Sequence, residues 1–134
     1  PQAGDVWPSR VGLQRWGLSF AWQTLREAGA LLAFGSDWPV VSQNPLLGVN
    51  AAVNRQLWQA GLPDQRQTLA NTLVAYTRDA AYAEFQEGQK GQLKAGYLAD
   101  MVLLSEDIFD IPGEQLASVS PVLTVCDGRV VYEA

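Results

Sequence analysis

The sequence predicts an α/β fold, on three observations. Apolar residues recur at helical spacing through Leu18, Ala21, Trp22, Leu25 and Ala28. A continuous apolar run over residues 30–34 follows at once and is ended by Gly35-Ser36-Asp37. Near Gly88 the pattern changes from mostly helical to mostly strand. Helix, short loop, then a strand buried on both faces is the rhythm of a β/α protein, whose parallel strands are covered by helices.

Gly29 is the expected stop of the first helix, since a positive-φ residue commonly closes a helix C-terminus. Asn44-Pro45 opens the next, with Asn as the cap and Pro at the first helical position. Leu46, Val49, Val53 and Leu57 extend it at i, i+3, i+7 and i+11, and Gly61 marks its expected end. Pro63-Asp64 reads as a turn. Thr68 caps a helix striped by Leu69, Leu73 and Tyr76, and a short helix over residues 79–85 comes directly after.

Beyond the switch, Gly91 and Gly96 supply positive φ for turns, and residues 101–104 form a short strand. Ile111-Pro112-Gly113-Glu114 is a break before one helical turn. Residues 122–132 read as a hairpin about Asp127-Gly128, where a type I′ turn needs positive φ twice. One buried strand does not make a sheet. Residues 30–34 must pair with strands of a longer chain or of another molecule, or their backbone groups go unsatisfied. The residues by themselves leave open a small α+β domain and a piece of a larger barrel.

Composition removes several function classes. An apolar fraction of 48% with 17% charged residues is that of a soluble globular chain, which argues against disorder. A net charge of −5, with nine basic residues thinly spread, leaves no electrostatic footprint for nucleic acid. The longest apolar run, residues 28–34, is far short of the roughly 20 residues that span a bilayer, so no membrane partner is expected. The opening PQAGDVWPSR has no charged-then-apolar signal pattern, and a cytoplasmic location is expected. The single Cys126 fits that location, excludes an internal disulfide and reads as a core residue on an apolar alternation.

The chain contains no histidine. A Ser-His or Cys-His nucleophile therefore cannot be assembled from Ser36 or Cys126. Carboxylates, Lys, Tyr and backbone amides remain for chemistry. Asp37 is the leading candidate, because β/α enzymes place catalytic groups just past the C-terminal ends of buried strands. Gly35 permits a tight turn there, and Pro39 stiffens the loop. A carboxylate so placed binds a cation or takes a proton from water; equally, it caps local amides after the strand. Arg10, Arg15 and Arg55 stand as anchors for a substrate carboxylate or for interdomain pairs. Glu84, Glu87, Glu106 and Asp107 read as solvated acids.

Four segments in order, LLAFGSDWPV, NPLLGVNAAVNR, TLVAYTRDAAYAEFQEGQKGQLKAGYLADMVLLSEDIFDIP and VLTVCDGRVVYE, resemble the amidohydrolase superfamily. They are similar to its amidohydrolase-3 group of YtcJ-like and AepA-like proteins, from about Trp7 to Glu133. The resemblance implies the end of a (β/α)8 TIM barrel, its last strand and helices, over residues 1–88. Residues 89–134 would then be C-terminal strands of a small composite β-sandwich, with Asp100 a strand-entry residue. It further implies a metal-dependent hydrolase holding one or two divalent metals, usually zinc. Its activated water attacks an amide-type carbon–nitrogen bond of a small-molecule substrate.

On that resemblance Asp37 is metal ligand and proton shuttle, and Ser36 and Trp38 line the substrate pocket. The chain departs from the pattern throughout the rest of the metal shell, because the family's histidines and its strand-four lysine come from earlier strands. It is therefore read as the C-terminal portion of a longer enzyme, with neither bound metal nor activity expected of the piece alone. A contrasting expectation is a non-catalytic structural module, self-associating into a homo-oligomer to cover residues 31–34.

Overall fold

Capping and turn chemistry set the element order in the computed structural model, which describes residues 5–134. Helix α1 (Val6–Val11) and a 3-10 helix (Leu13–Leu18) lead into α2 (Trp22–Glu27), which closes through Gly29 at φ 89° as expected. Helix α3 (Pro45–Val53) starts where Asn44 Oδ1 accepts from Leu46 N–H at 3.0 Å, with Pro45 at the first helical position. Helix α4 (Leu69–Tyr76) is capped by Thr68, whose hydroxyl accepts from Asn71 N–H at 3.1 Å. Helix α5 (Arg78–Ala83) follows almost without a break.

The C-terminal part forms a three-stranded antiparallel sheet of β1 (Met101–Leu104), β2 (Pro121–Cys126) and β3 (Arg129–Glu133), in the order β1-β2-β3. Cys126 pairs with Arg129 across the predicted turn, where Asp127 has φ 50° and Gly128 φ 73°. Asp100 does act at the strand entry: its Oδ1 accepts from Asp127 N–H at 2.8 Å and so ties β1 to the hairpin turn. The expected helical turn after Pro112 is a 3-10 helix over Gly113–Ser118.

The core is built where α3 meets this second part. Leu46 and Val49 of α3 pack with Ile108, Leu116 and Val119, and Val53, Leu69, Leu73, Tyr76, Leu104 and Ile111 close around them. Leu116 is 1% exposed, so truncating it to Ala costs about 2–5 kcal/mol. The contact is pinned by Asn54, whose amide donates to Gly113 O at 2.7 Å. A Cβ added at Gly113 would lie 2.9 Å from Asn54 Oδ1, so the Asn54 amide that makes this contact would have to shift. The core thus draws on residues from both sides of Gly88.

Three expectations are corrected. Residues 30–34 form no strand, because among the described residues nothing pairs with them in a sheet. Phe34 N–H instead donates to Ala75 O at 3.0 Å, and Leu31 is left 57% exposed. The described residues accordingly make helices plus an antiparallel sheet; neither a closed barrel nor a second facing sheet is present among them. Helix α3 ends at Val53 and does not run to Gly61. The chain turns at Asn54 so that Arg55 reaches Ser19 and Phe20 and Trp58 is buried edge-on to Trp16. Cys126 is exposed, not core, since it ends β2 beside the turn.

Candidate active site

The segment carrying the candidates leaves α2 through Gly29 and is held from beneath by side-chain amides. Gln65 and Gln67 are buried, and each binds α2. Gln65 accepts from Thr24 N–H at 3.0 Å and donates to Thr24 Oγ1 at 2.7 Å, and Gln67 Oε1 accepts from Arg26 Nε at 2.8 Å. Buried amides with partners on both ends fix the approach of the two segments. The Phe34 ring then lies between Trp22 and Tyr76, at centroid distances of 5.5 and 5.7 Å.

At the end of this stretch Asp37 takes the left-handed backbone conformation, φ 46°, which Asp tolerates better than most residues. Its carbonyl accepts from Val40 N–H at 2.9 Å, closing a turn that contains a cis Trp38-Pro39 bond. The Asp37 side chain is exposed, and among the described residues no hydrogen bond to its carboxylate is present. Its carboxylate is thus free of the local capping duty that the alternative reading of a turn Asp gave it. Ser36 performs that duty, its Oγ accepting from Trp38 N–H at 3.2 Å.

Ser36 also lines a cleft of about 220 Å³ with Ser42, Asn44, Gly48 and Tyr76. Trp38 lies outside that lining and is 66% exposed. The three sequence candidates are therefore consecutive on one turn but face different surroundings. Tyr76 is the residue that sequence reading missed, having counted it only as part of an apolar stripe. Burial holds its phenol above the ordinary value, so the hydroxyl is protonated at neutral pH. The signal for it was Gly48, a glycine in the middle of a helix, where a close approach is the usual reason.

Arg55 is engaged within the chain. Its guanidinium donates to Phe20 O at 2.6 Å and Ser19 O at 2.9 Å, and lies 5.3 Å from the Phe20 and Trp22 ring centroids. Desolvation by burial lowers its pKa, with Asp64 acting in the opposite sense. Glu84, expected as a solvated acid, pairs with Lys90 at 2.6 Å.

The amidohydrolase family model matches residues 3–132. The chain belongs to the amidohydrolase family. Within it, the YtcJ-like amidohydrolase-3 group is the one it joins. The chain is 38% identical over 117 residues to the protein LONG AFTER FAR-RED 3 of Arabidopsis thaliana, covering 85% of this chain and 20% of that protein. It is 35% identical over 129 residues to YtcJ of Bacillus subtilis (strain 168), an amidohydrolase by name, covering 92% and 24%. It is 28% identical over 117 residues to the N-substituted formamide deformylase of Arthrobacter pascens, covering 85% and 21%. A solved amidohydrolase from Thermotoga maritima MSB8 shares the fold, with TM-score 0.62, 20% identity, and 86% and 26% covered. The chain thus spans a fifth to a quarter of the length of the proteins it matches.

A divalent metal is what this family implies, and the donor set of this amidohydrolase chain does not fit one. It has no histidine, and among the described residues no three His, Cys, Asp or Glu side chains group to hold an ion. One exposed carboxylate is too few ligands for a zinc site. Among the described residues no helix is long and apolar enough to cross a membrane.

Proposed function

We propose that this amidohydrolase-family chain is the C-terminal portion of a metal-dependent hydrolase that cleaves an amide-type carbon–nitrogen bond in a small molecule. Residues 1–88 would complete its barrel and residues 89–134 its small β-sandwich. Asp37 would be one metal ligand, and the remaining ligands would come from sequence outside these 134 residues. The single observation that carries the reading is Asp37. It is an exposed carboxylate on a left-handed turn just after the apolar residues 30–34, within the stretch matched by the family.

Asp37 would accept the proton of the attacking water and return it to the leaving amine. Ser36 and Tyr76 would bound the substrate on one side with neutral hydroxyl groups, and Trp38 would cover it with an exposed indole. The name of the Arthrobacter relative supports an amide carbon–nitrogen bond as the target. The test is hydrolysis of N-substituted formamides and simple amides by the full-length protein, before and after removal of divalent metal with a chelator. Full-length protein with no metal-sensitive hydrolysis of any such substrate would sink the reading.

A non-catalytic, self-associating module is the second reading, favoured by the apolar side chains of Val102, Leu103, Val130 and Val131, which are exposed on the sheet. Light scattering on the purified 134-residue chain separates the two. A monomer removes the module, whereas a stable dimer without any hydrolytic activity in the full-length protein supports it.

A further inference from the structure

The cleft beside the Asp37 turn offers hydrogen-bond donors that the fold does not use. Ser36 Oγ accepts from Trp38 N–H, Ser42 Oγ from Asn44 N–H, and Asn44 Oδ1 from Leu46 N–H. Each of these bonds uses an acceptor, so the two seryl hydrogens and the Asn44 amide hydrogens have no acceptor among the described residues. The Tyr76 phenol likewise has no hydrogen-bond partner among the described residues, and burial keeps its proton in place at neutral pH. The cavity beside Arg55 differs. There the guanidinium and the Asn54 amide are already spent on backbone carbonyls.

The rest of the cleft is apolar and uncharged. Val41, Leu47 and Ala51 line it, and none of its lining side chains carries a charge. Its volume of about 220 Å³ exceeds the roughly 150 Å³ of a cavity that takes up benzene, so one six-membered ring with a small substituent fits. Val41, Ser42, Leu47 and Ala51 are exposed, which leaves the cleft open to a ligand. Tyr76 is held in position, since its ring packs edge-on to Phe34 at 5.7 Å and its hydroxyl lies against Gly48.

We propose that this cleft is the subsite for an uncharged, ring-sized apolar group of the substrate that carries an acceptor oxygen, with Tyr76 Oη donating to that oxygen. The inference deepens the hydrolase reading and rests on it for the role of the cleft in turnover. Ser36 directly precedes Asp37, their Cα atoms about 3.8 Å apart, so the cleft wall and the proton-accepting residue share one turn. The lining selects against ions. A carboxylate or ammonium group entering it would give up water and meet no countercharge. A purely hydrocarbon ring would fill the space but leave the phenol unpaired.

The experiment measures binding of four ring compounds without an amide bond to the full-length protein: anisole, ethylbenzene, benzoate and benzylammonium. Ligand-observed NMR reads their affinities whether or not the protein hydrolyses anything. Anisole should bind about 3-fold or more tighter than its isostere ethylbenzene, and at least about 10-fold tighter than either ion. Tyr76→Phe keeps the ring and should abolish the preference for anisole while leaving ethylbenzene within about 2-fold. Ala51→Leu fills the cleft from an exposed position and should weaken both neutral ligands by about 10-fold. Equal binding of anisole and ethylbenzene, a preference that survives Tyr76→Phe, benzoate as tight as anisole, or indifference to Ala51→Leu would each overturn the proposal. The expected order in a protein without metal-sensitive hydrolysis keeps the binding site and sinks the hydrolase reading; hydrolysis without that order does the reverse.

Discussion

The hydroxyl of Tyr76 stands where a side chain on Gly48 would have to go: a Cβ built on Gly48 collides with Tyr76 Oη and lies 3.0 Å from Cζ. This one contact sets how closely α3 and α4 approach, and it forms a wall of the cleft beside Ser36. In an ordinary helix interior, Gly→Ala stabilises by about 0.5–1 kcal/mol. Here the sign should reverse. Gly48→Ala is expected to destabilise by about 1–3 kcal/mol through overpacking. Combined with Tyr76→Phe, which removes the colliding oxygen, much of that loss should return. A double-mutant cycle by urea unfolding measures the coupling, and additive effects within about 0.5 kcal/mol would show that the contact is not the cause.

The same phenol predicts a dependence on alkaline pH. Burial raises the Tyr76 pKa above its ordinary value, so the folded chain keeps the proton after the unfolded chain has lost it. The contribution is therefore complete below the unfolded value of about 10, and is lost as pH rises through the folded value. Urea midpoints followed from pH 8 to beyond 10 should fall more steeply for wild type than for Tyr76→Phe. Parallel curves would mean that the ring is effectively solvated.

How far these features could be read beforehand depends on the range over which each is determined. Caps and turns are local, so Asn44, Thr68, Gly29 and Asp127-Gly128 were legible, and each is found in its expected role. The end of α3 was not, because the apolar stripe that included Leu57 is overridden by non-local demands. Asn54 must reach Gly113, and Arg55 must reach Ser19 and Phe20. Residues 30–34 have the composition of a buried strand, but a ladder requires a neighbour that the described residues do not contain. Asp37 was expected just past an apolar run, and it stands there on the turn that follows residues 30–34. The burial of Tyr76 depends on packing between separate helices, and no spacing in the sequence records it.

Arg55 makes a second testable clamp. Phe20 has φ 53°, a conformation unfavourable for an aromatic residue, and Arg55 holds both its carbonyl and its ring. Lysine lacks the planar fork needed to bind two carbonyls while stacking on rings. Arg55→Lys should lower stability by about 1–2 kcal/mol, and Arg55→Ala by about 2–3 kcal/mol. Both are read from denaturant midpoints at fixed pH. A Lys variant as stable as wild type would mean that the charge alone, and not the fork geometry, carries the interaction.

Asp37 gives the sharpest separation of chemistry from folding. Asparagine shares the tolerance of aspartate for a left-handed backbone, so Asp37→Asn preserves the turn at φ 46°. The side chain is exposed, and a surface change of this kind moves stability by no more than about 0.5 kcal/mol. What Asn cannot do is accept a proton. In the full-length protein, kcat is therefore expected to fall by about 10²–10⁴-fold while the unfolding midpoint stays in place. Trp38→Ala should act differently, raising KM with a smaller effect on kcat, if the exposed indole covers the substrate as proposed, since it has no proton to transfer. Steady-state kinetics of both variants on one amide substrate decide the matter. If Asp37→Asn kept wild-type kcat, this carboxylate would have no part in the proton transfer.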